Sequence, residues 1–129
     1  MEEQKAKVLI VDDEPYILRV LQYKLECAGY EVETALDGLE ALEKLQEINP
    51  TILITDIHMP RMSGKELCQK IKAGSEPGPE LILVITSATE KENRVWTDEM
   101  DRTHFIEKPF SPRSVLRLID EHCLADRTE

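Results

Sequence analysis

The stretch from Thr51 to Pro60 (TILITDIHMP) constrains the fold more than any other part of the sequence. Four of its first five residues are β-branched, and no charged residue occurs before Asp56. A strand this apolar is typical of the centre of a parallel sheet whose two faces are covered by helices. Asp56 would then lie at the carboxyl end of the strand, where open α/β sheets carry their functional sites. On this stretch alone, a strand-terminating turn acid is the alternative interpretation of Asp56.

Four more segments have the pattern of strands, and helical stripes with capping signals separate them. Two are apolar runs and two are short edge strands; they are Lys7 to Val11, Leu81 to Thr86, Glu31 to Ala35 and Thr103 to Glu107. Five strands alternating with five helices predict an α/β fold, a doubly wound parallel sheet with right-handed crossovers. The predicted fourth helix begins at Thr89, the fifth begins at Ser111-Pro112, and a polar tail follows from Ala125. We expect one domain over residues 1–129, with an ordered core at about 6–124.

Composition and charge exclude several classes of partner. The 129 residues carry a formal net charge of −10, which would repel duplex DNA and an anionic membrane. No apolar run approaches the length of a membrane span, and the start, MEEQKAK, is too polar for a signal peptide. Cys27, Cys68 and Cys123 are far apart and are predicted to be buried thiols, as expected in a reducing cytoplasm. We therefore expect a cytoplasmic protein without direct nucleic-acid or membrane contact.

The polar residues that follow the strands are expected to meet at one edge of the sheet. They are Asp12 and Asp13, Asp56, Thr86 with its neighbour Ser87, and Lys108. Three carboxylates repel one another, and one lysine cannot neutralise them. Mg²⁺ would, because it prefers a few carboxylates together with water and phosphate oxygens. One carboxylate could then approach a phosphoryl group, as aspartate does when it forms an acyl phosphate.

The segments VLIVDDEP, DIHMPRMSGKEL, ITS and EKPFSP occur here in an order and spacing that resemble a known family. The sequence resembles the receiver domain of bacterial two-component response regulators over nearly the whole chain. This resemblance implies the flavodoxin-like fold of the chemotaxis regulator, with five parallel strands in the order 2-1-3-4-5. It also implies a phosphorylatable signalling domain rather than an enzyme, with only self-catalysed phosphoryl transfer and autodephosphorylation.

The resemblance implies a role for each polar residue at the sheet edge. Asp56 is the expected phosphoacceptor, which takes its phosphoryl group from a sensor histidine kinase. Asp12, Asp13 and Asp56 are expected to hold Mg²⁺, with the backbone carbonyl of His58 as a further ligand. Lys108 is expected to contact the phosphoryl oxygens.

A second group of residues is expected to respond to phosphorylation. Thr86 matches the switch hydroxyl and Phe105 the switch aromatic, and their movement would bias the surface of the fourth helix, fifth strand and fifth helix. That surface would contact a downstream protein or effector domain. A dimer that forms on phosphorylation is an alternative use of the same surface. The side chain of His58, together with Ala88, is expected to tune the lifetime of the acyl phosphate.

Each residue also has a purely structural interpretation. Asp12 and Asp13 could be acids favoured by the dipole at a helix N-terminus. Lys108 could be an ordinary solvated lysine, and Thr86 could be a β-former that closes its strand. Phe105 could belong passively to the core.

Two other functions compete with the receiver. A Mg²⁺-dependent phosphohydrolase of the haloacid-dehalogenase type also uses a strand-end aspartate, but it requires a second acid where this chain has His58. A degenerate receiver would serve only as a docking module. Turnover of a small phosphomonoester favours the hydrolase, whereas a single stoichiometric phosphorylation favours the receiver.

Overall fold

Five parallel strands form one sheet in the computed structural model, which describes residues 6–57, 59, 61–74, 78–87, 103–108 and 110–127. The strands are β1 (Lys7–Val11), β2 (Glu31–Ala35), β3 (Ile52–Asp56), β4 (Leu81–Ser87) and β5 (Thr103–Lys108). Their order across the sheet is β2-β1-β3-β4-β5. The predicted flavodoxin-like order is therefore confirmed, with β3 at the centre of the sheet.

The described helices are α1 (Pro15–Cys27), α2 (Gly38–Ile48), α3 (Gly64–Ala73) and α4 (Pro112–Arg127). Two capping signals among the described residues, at Ser63 and at Ser111, act as predicted. The side chain of Ser63 accepts a hydrogen bond from the backbone of Glu66, whose own side chain accepts one from the backbone of Ser63. Ser111 in turn accepts a hydrogen bond from the backbone of Ser114 at the start of α4. None of the helices in these described ranges is long and apolar enough to cross a membrane.

Both faces of the sheet are covered, and alternate residues of each central strand enter different cores. On one face, Ile10, Ile54 and Leu83 belong to a buried cluster that α1 and α4 complete. On the other face, Leu9 and Leu53 belong to a cluster that α2 and α3 complete. Burial on two faces explains why the central strands are continuous apolar runs.

Three sequence predictions need correction or fall outside the described residues. Cys68 is buried as predicted, but Cys27 is exposed because it lies on the outer side of the last turn of α1. The helix α4 continues to Arg127, past the tail predicted from Ala125, because residues 124–127 include neither glycine nor proline. The predicted fourth helix lies between β4 and β5, outside the described residues.

The start of α3 lies directly against the end of β3. The N–H of Gly64 donates to the carbonyl oxygen of Ile57 over 2.8 Å. A Cβ atom at Gly64 would stand 2.1 Å from the carbonyl oxygen of Asp56, much closer than any real Cβ contact. Only glycine allows α3 to approach the backbone of Asp56 this closely.

We predict that Gly64→Ala destabilises the fold, because the added methyl group must push α3 away from β3. The free energy of unfolding should fall by about 1–3 kcal/mol, a typical cost of overpacking. Urea denaturation followed by circular dichroism measures it. The matched control is Gly74→Ala at the exposed end of α3, where the Cβ atom would stand 3.4 Å from the nearest atom. Equal effects of the two substitutions would contradict the prediction.

Candidate functional site at the carboxyl edge of the sheet

Parallel register brings the predicted site residues to one edge of the sheet. Val11 pairs with Thr55, so Asp12 and Asp56 follow at the same level on neighbouring strands. The N–H of Asp12 donates to the carbonyl oxygen of Ala35 over 3.1 Å, which fixes the chain just beyond β1. On the other side of Asp56, Ser87 pairs with Lys108 at the ends of β4 and β5. Residues far apart in the chain are thus neighbours at this edge.

The three predicted acids form one cluster. Asp12, Asp13 and Asp56 each offer a carboxylate oxygen, and these oxygens all lie within 4.8 Å of one another. Asp12 and Asp56 are buried, with exposed fractions of 1% and 5%, whereas Asp13 is exposed. The cluster is therefore closed toward the sheet and open to solvent on the side of Asp13.

Lys108 lies against the cluster, as predicted. Its Nζ atom donates to Oδ2 of Asp56 over 3.0 Å. Burial lowers the pKa of Lys108, but the hydrogen bond and the negative charges of Asp56 and Asp12 outweigh it, and the net pKa is raised. The ammonium group is thus firmly charged. It is one cation facing three carboxylates.

Lys108 does not fully compensate the negative charge of the cluster, as the surroundings of Asp12 show. The Oδ1 atom of Asp12 accepts a hydrogen bond from the N–H of Glu14 over 2.9 Å, but Oδ2 is buried and has no hydrogen-bond partner among the described residues. Burial is the main cause that raises the pKa of Asp12 from 3.8 to about 6, and the nearby charge of Asp56 raises it further. The backbone hydrogen bond from Glu14 works in the opposite direction. A buried carboxylate oxygen without a partner fits a site for a hard cation such as Mg²⁺.

The two predicted switch residues lie on β4 and β5, the two strands on the Lys108 side of Asp56. Thr86 is 1% exposed near the end of β4. Because side chains alternate between the two faces of a strand, Thr86 and Val84 lie on the same face of β4. Val84 pairs with Phe105 of β5. Phe105 is half-buried and packs against the core cluster on that face. The structure thus shows two switch candidates on a common side of the sheet, with Thr86 nearer to the acids.

Some predicted residues lie outside the described ranges, and some described residues were missed. His58 and Ala88, the predicted carbonyl ligand and lifetime-tuning positions, belong to the first group. Gly64 and the ion pair between Asp37 and Arg61 belong to the second. The only sequence signal for Gly64 was a glycine directly after a capping serine. An ion pair between residues 24 positions apart has no local signal.

We predict that Asp12→Asn stabilises the protein in the absence of divalent cations. Because the folded state raises the pKa of Asp12, it binds this proton more tightly than the unfolded chain does. This group's contribution to stability is therefore present at low pH and is lost as the pH rises from about 4 to 6. Asparagine can still accept the hydrogen bond from Glu14 but carries no charge. The gain near pH 7 should be about 1–2 kcal/mol, less than the full shift implies because the cluster is open to solvent.

Urea denaturation at several pH values in EDTA measures this gain. The difference between Asp12→Asn and wild type should become small near pH 4, because Asp12 of the folded wild type is already protonated there and the unfolded chain also takes up the proton. The control is Asp13→Asn, which removes the same charge from an exposed position and should have a smaller effect. A gain that does not change with pH would contradict the electrostatic explanation.

Comparison with known proteins agrees with this architecture. Residues 8–120 match the response regulator receiver domain family. The chain is 39% identical over 109 residues to the alkaline phosphatase synthesis transcriptional regulatory protein PhoP of Bacillus subtilis, covering 84% of this chain and 45% of PhoP. It is 38% identical over 128 residues to the probable transcriptional regulator ycf27 of Pyropia yezoensis, covering 94% of this chain and 51% of that protein. The chain thus spans about half the length of these relatives.

Solved structures with the same fold include chemotaxis and other response regulators. The chemotaxis response regulator CheY4 of Vibrio cholerae is 37% identical with a TM-score of 0.81, over 90% of this chain and 97% of CheY4. The response regulator TrrA of Thermotoga maritima, solved in complex with Mg²⁺-BeF, is 29% identical with a TM-score of 0.77, over 91% of this chain and 98% of TrrA. With this sheet order, acids at its carboxyl edge and a family match over most of its length, the chain belongs to the response regulator receiver domain family of two-component systems.

Proposed function

We propose that the chain is a phosphorylatable receiver that takes a phosphoryl group from the phosphohistidine of a sensor histidine kinase onto Asp56, in the cytoplasm and with Mg²⁺. The observation that carries the proposal is the position of the Asp56 carboxylate. It lies between the ammonium group of Lys108, at 3.0 Å, and two further carboxylates with oxygens within 4.8 Å. A nucleophilic carboxylate flanked by a cation and a cation-binding cluster is the arrangement that phosphoryl transfer requires.

Asp12, Asp13 and Asp56 are the residues that would hold Mg²⁺, with the backbone carbonyl of His58 as a further proposed ligand. The unpartnered Oδ2 atom of Asp12 supports this assignment. When bound, the ion supplies positive charge that offsets the repulsion between the carboxylates and the phosphoryl oxygens. The exposure of Asp13 leaves the cluster open on one side, where a phosphoryl donor could enter.

In the proposed step, a carboxylate oxygen of Asp56 attacks phosphorus. The O–P bond forms while the P–N bond to the donor imidazole breaks, and the electron pair of that bond returns to the imidazole nitrogen. Lys108 first orients the carboxylate through Oδ2 and then donates to the transferred phosphoryl oxygens. The hydrogen bond and negative charge of Asp56 raise the pKa of Lys108, so its ammonium group is charged before the transfer.

The signal would leave the site through Thr86 and Phe105. We propose that the buried hydroxyl of Thr86 moves toward the phosphoryl group and that Phe105 then turns further into the core. This movement would alter the surface around β5 and α4, including the predicted fourth helix, and change its affinity for a downstream protein or effector domain or for a second copy. The relatives of which the chain spans about half are named transcriptional regulatory proteins, which supports an output through a downstream domain or protein.

Two observations favour this function over the alternatives. The acids and Lys108 are together in space, whereas a docking module without phosphorylation needs neither. A phosphohydrolase would require a second acid at position 58, which is histidine. We therefore expect one phosphoryl group per chain and only slow self-catalysed hydrolysis.

We predict that acetyl phosphate with Mg²⁺ phosphorylates the wild-type chain once and that Asp56→Asn abolishes this labelling. Asparagine keeps the shape of the side chain but cannot form an acyl phosphate. Intact-mass spectrometry measures the product. The control is Glu47→Gln, an exposed position on α2, which should label like wild type. Labelling that persists in Asp56→Asn would refute the assignment.

We predict that Lys108→Ala separates cation binding from phosphoryl transfer. Loss of the ammonium group leaves the cluster more negative, so Mg²⁺ should bind at least as tightly as to wild type. The initial rate of labelling should fall by roughly 10²-fold, because a donor to the developing charge is lost. An NMR titration with Mg²⁺ and a labelling time course measure the two quantities. Weaker Mg²⁺ binding with an unchanged labelling rate would show that Lys108 has a different role.

A further inference from the structure

The backbone of Arg61 adopts a conformation that its side chain does not favour. Arg61 has a φ angle of 67°, in the left-handed region that glycine and asparagine occupy more readily. The residue follows β3 in the segment that leads from Asp56 to α3. A non-glycine residue persists in this region only when surrounding contacts hold it there.

The side chain of Arg61 makes such contacts with Asp37. Its Nε atom donates to Oδ2 of Asp37 over 3.0 Å, and its Nη2 atom donates to the same oxygen. The Asp37 side chain is only 9% exposed, although that of Arg61 is 61% exposed. The other oxygen of Asp37 caps α2 by accepting from the N–H of Glu40 over 2.9 Å. Both oxygens of Asp37 are thus engaged, one by α2 and one by the segment after β3.

The pair is strengthened by the charge state of Asp37. The backbone hydrogen bond from Glu40, followed by the hydrogen bond from Arg61, lowers the pKa of Asp37 below its usual value of 3.8. The carboxylate is therefore ionised at neutral pH, and the contact with Arg61 is a charged one.

A continuous set of close contacts leads from this pair to the phosphoacceptor. Beside Arg61, Met62 packs so closely on α2 that a Cβ atom at Gly38 would stand 2.7 Å from the Cβ of Met62. Two residues further on, Gly64 touches the carbonyl group of Asp56 and donates to that of Ile57. A displacement of residues 61–64 from α2 would therefore move the backbone that carries the Asp56 carboxylate.

We propose that Asp37 and Arg61 are positioning residues for the acidic cluster. Their ion pair holds residues 61–64 against α2, and this keeps the carboxylate of Asp56 at the distance from Asp12 and Asp13 that cation binding requires. The inference rests on the proposed function, because it takes this cluster to be the Mg²⁺ site. Neither residue belongs to the cluster. Their effect acts through the backbone.

Substitutions that remove opposite charges distinguish a positioning role of the pair from a long-range electrostatic effect on Mg²⁺ binding. Arg61→Gly removes a positive charge, so a simple field effect would strengthen Mg²⁺ binding. Asp37→Asn removes a negative charge, so the same field effect would weaken it. Positioning by the pair instead predicts that both substitutions weaken binding. Both also spare the fold, because glycine favours the left-handed conformation and asparagine is as good an N-cap as aspartate.

The test is an NMR titration of the full chain with Mg²⁺ for wild type, Arg61→Gly, Asp37→Asn and the double variant. We expect each single substitution to raise the Kd for Mg²⁺ by roughly 3- to 10-fold, a modest effect for residues outside the ligand set. The double variant should be no worse than the weaker-binding single variant, because the two residues act as a pair. Arg61→Lys, which keeps the charge, should retain part of the wild-type affinity. Lys65→Ala, an exposed loss of positive charge on α3, is the control and should not raise the Kd.

The outcomes distinguish this inference from the proposed function. Opposite shifts for the two single variants, or additive losses in the double variant, would overturn the positioning role while leaving the Mg²⁺ site intact. Unchanged affinities in all variants of a chain that binds Mg²⁺ would do the same. Failure of the wild type to bind Mg²⁺ would overturn the proposed function and this inference with it.

Discussion

Repulsion among three carboxylates is the constraint on which the site depends. Asp12, Asp13 and Asp56 are brought within a few ångströms of one another by strands that have little freedom to move, because apolar residues cover both of their faces. Lys108 relieves part of the repulsion. The packing of the sheet keeps the carboxylates close together despite the repulsion that remains. This uncompensated negative charge would favour the binding of a cation.

The fold makes this arrangement by topology alone. In a parallel sheet every strand ends at the same edge as its neighbours, so one acid, hydroxyl or amine after each strand is enough to form a site. The stability of the strands and the chemistry of their ends are therefore separable. The apolar residues of the strands fix the geometry, and the polar residues at or just beyond their carboxyl ends form the candidate site.

This separation explains how much the sequence could predict. Long apolar runs bounded by acids or turn residues located β1 to the residue and β3 to within one residue of its start, and these runs led to Asp12 and Asp56. Lys108 was found at the end of the short edge strand β5. The buried thiol predicted at Cys27 was wrong, because a single small residue at the end of a helix carries too little pattern to decide its face. The pairing of Asp37 with Arg61 was invisible, since it depends on the relative placement of two loops rather than on periodicity.

The contact between Gly64 and the Asp56 carbonyl has a mechanical consequence. Because no side chain lies between them, α3 packs directly against the backbone of Asp56, and close-packed interiors transmit strain rather than absorb it. The opposite side of the site is softer, because β5 is an edge strand in which only one residue is fully buried. A group added to the Asp56 side chain would therefore be opposed by the tightly packed α3 on one side and by the less buried β5 on the other. The backbone would be displaced more easily toward β5 than toward α3, whether or not a partner is bound.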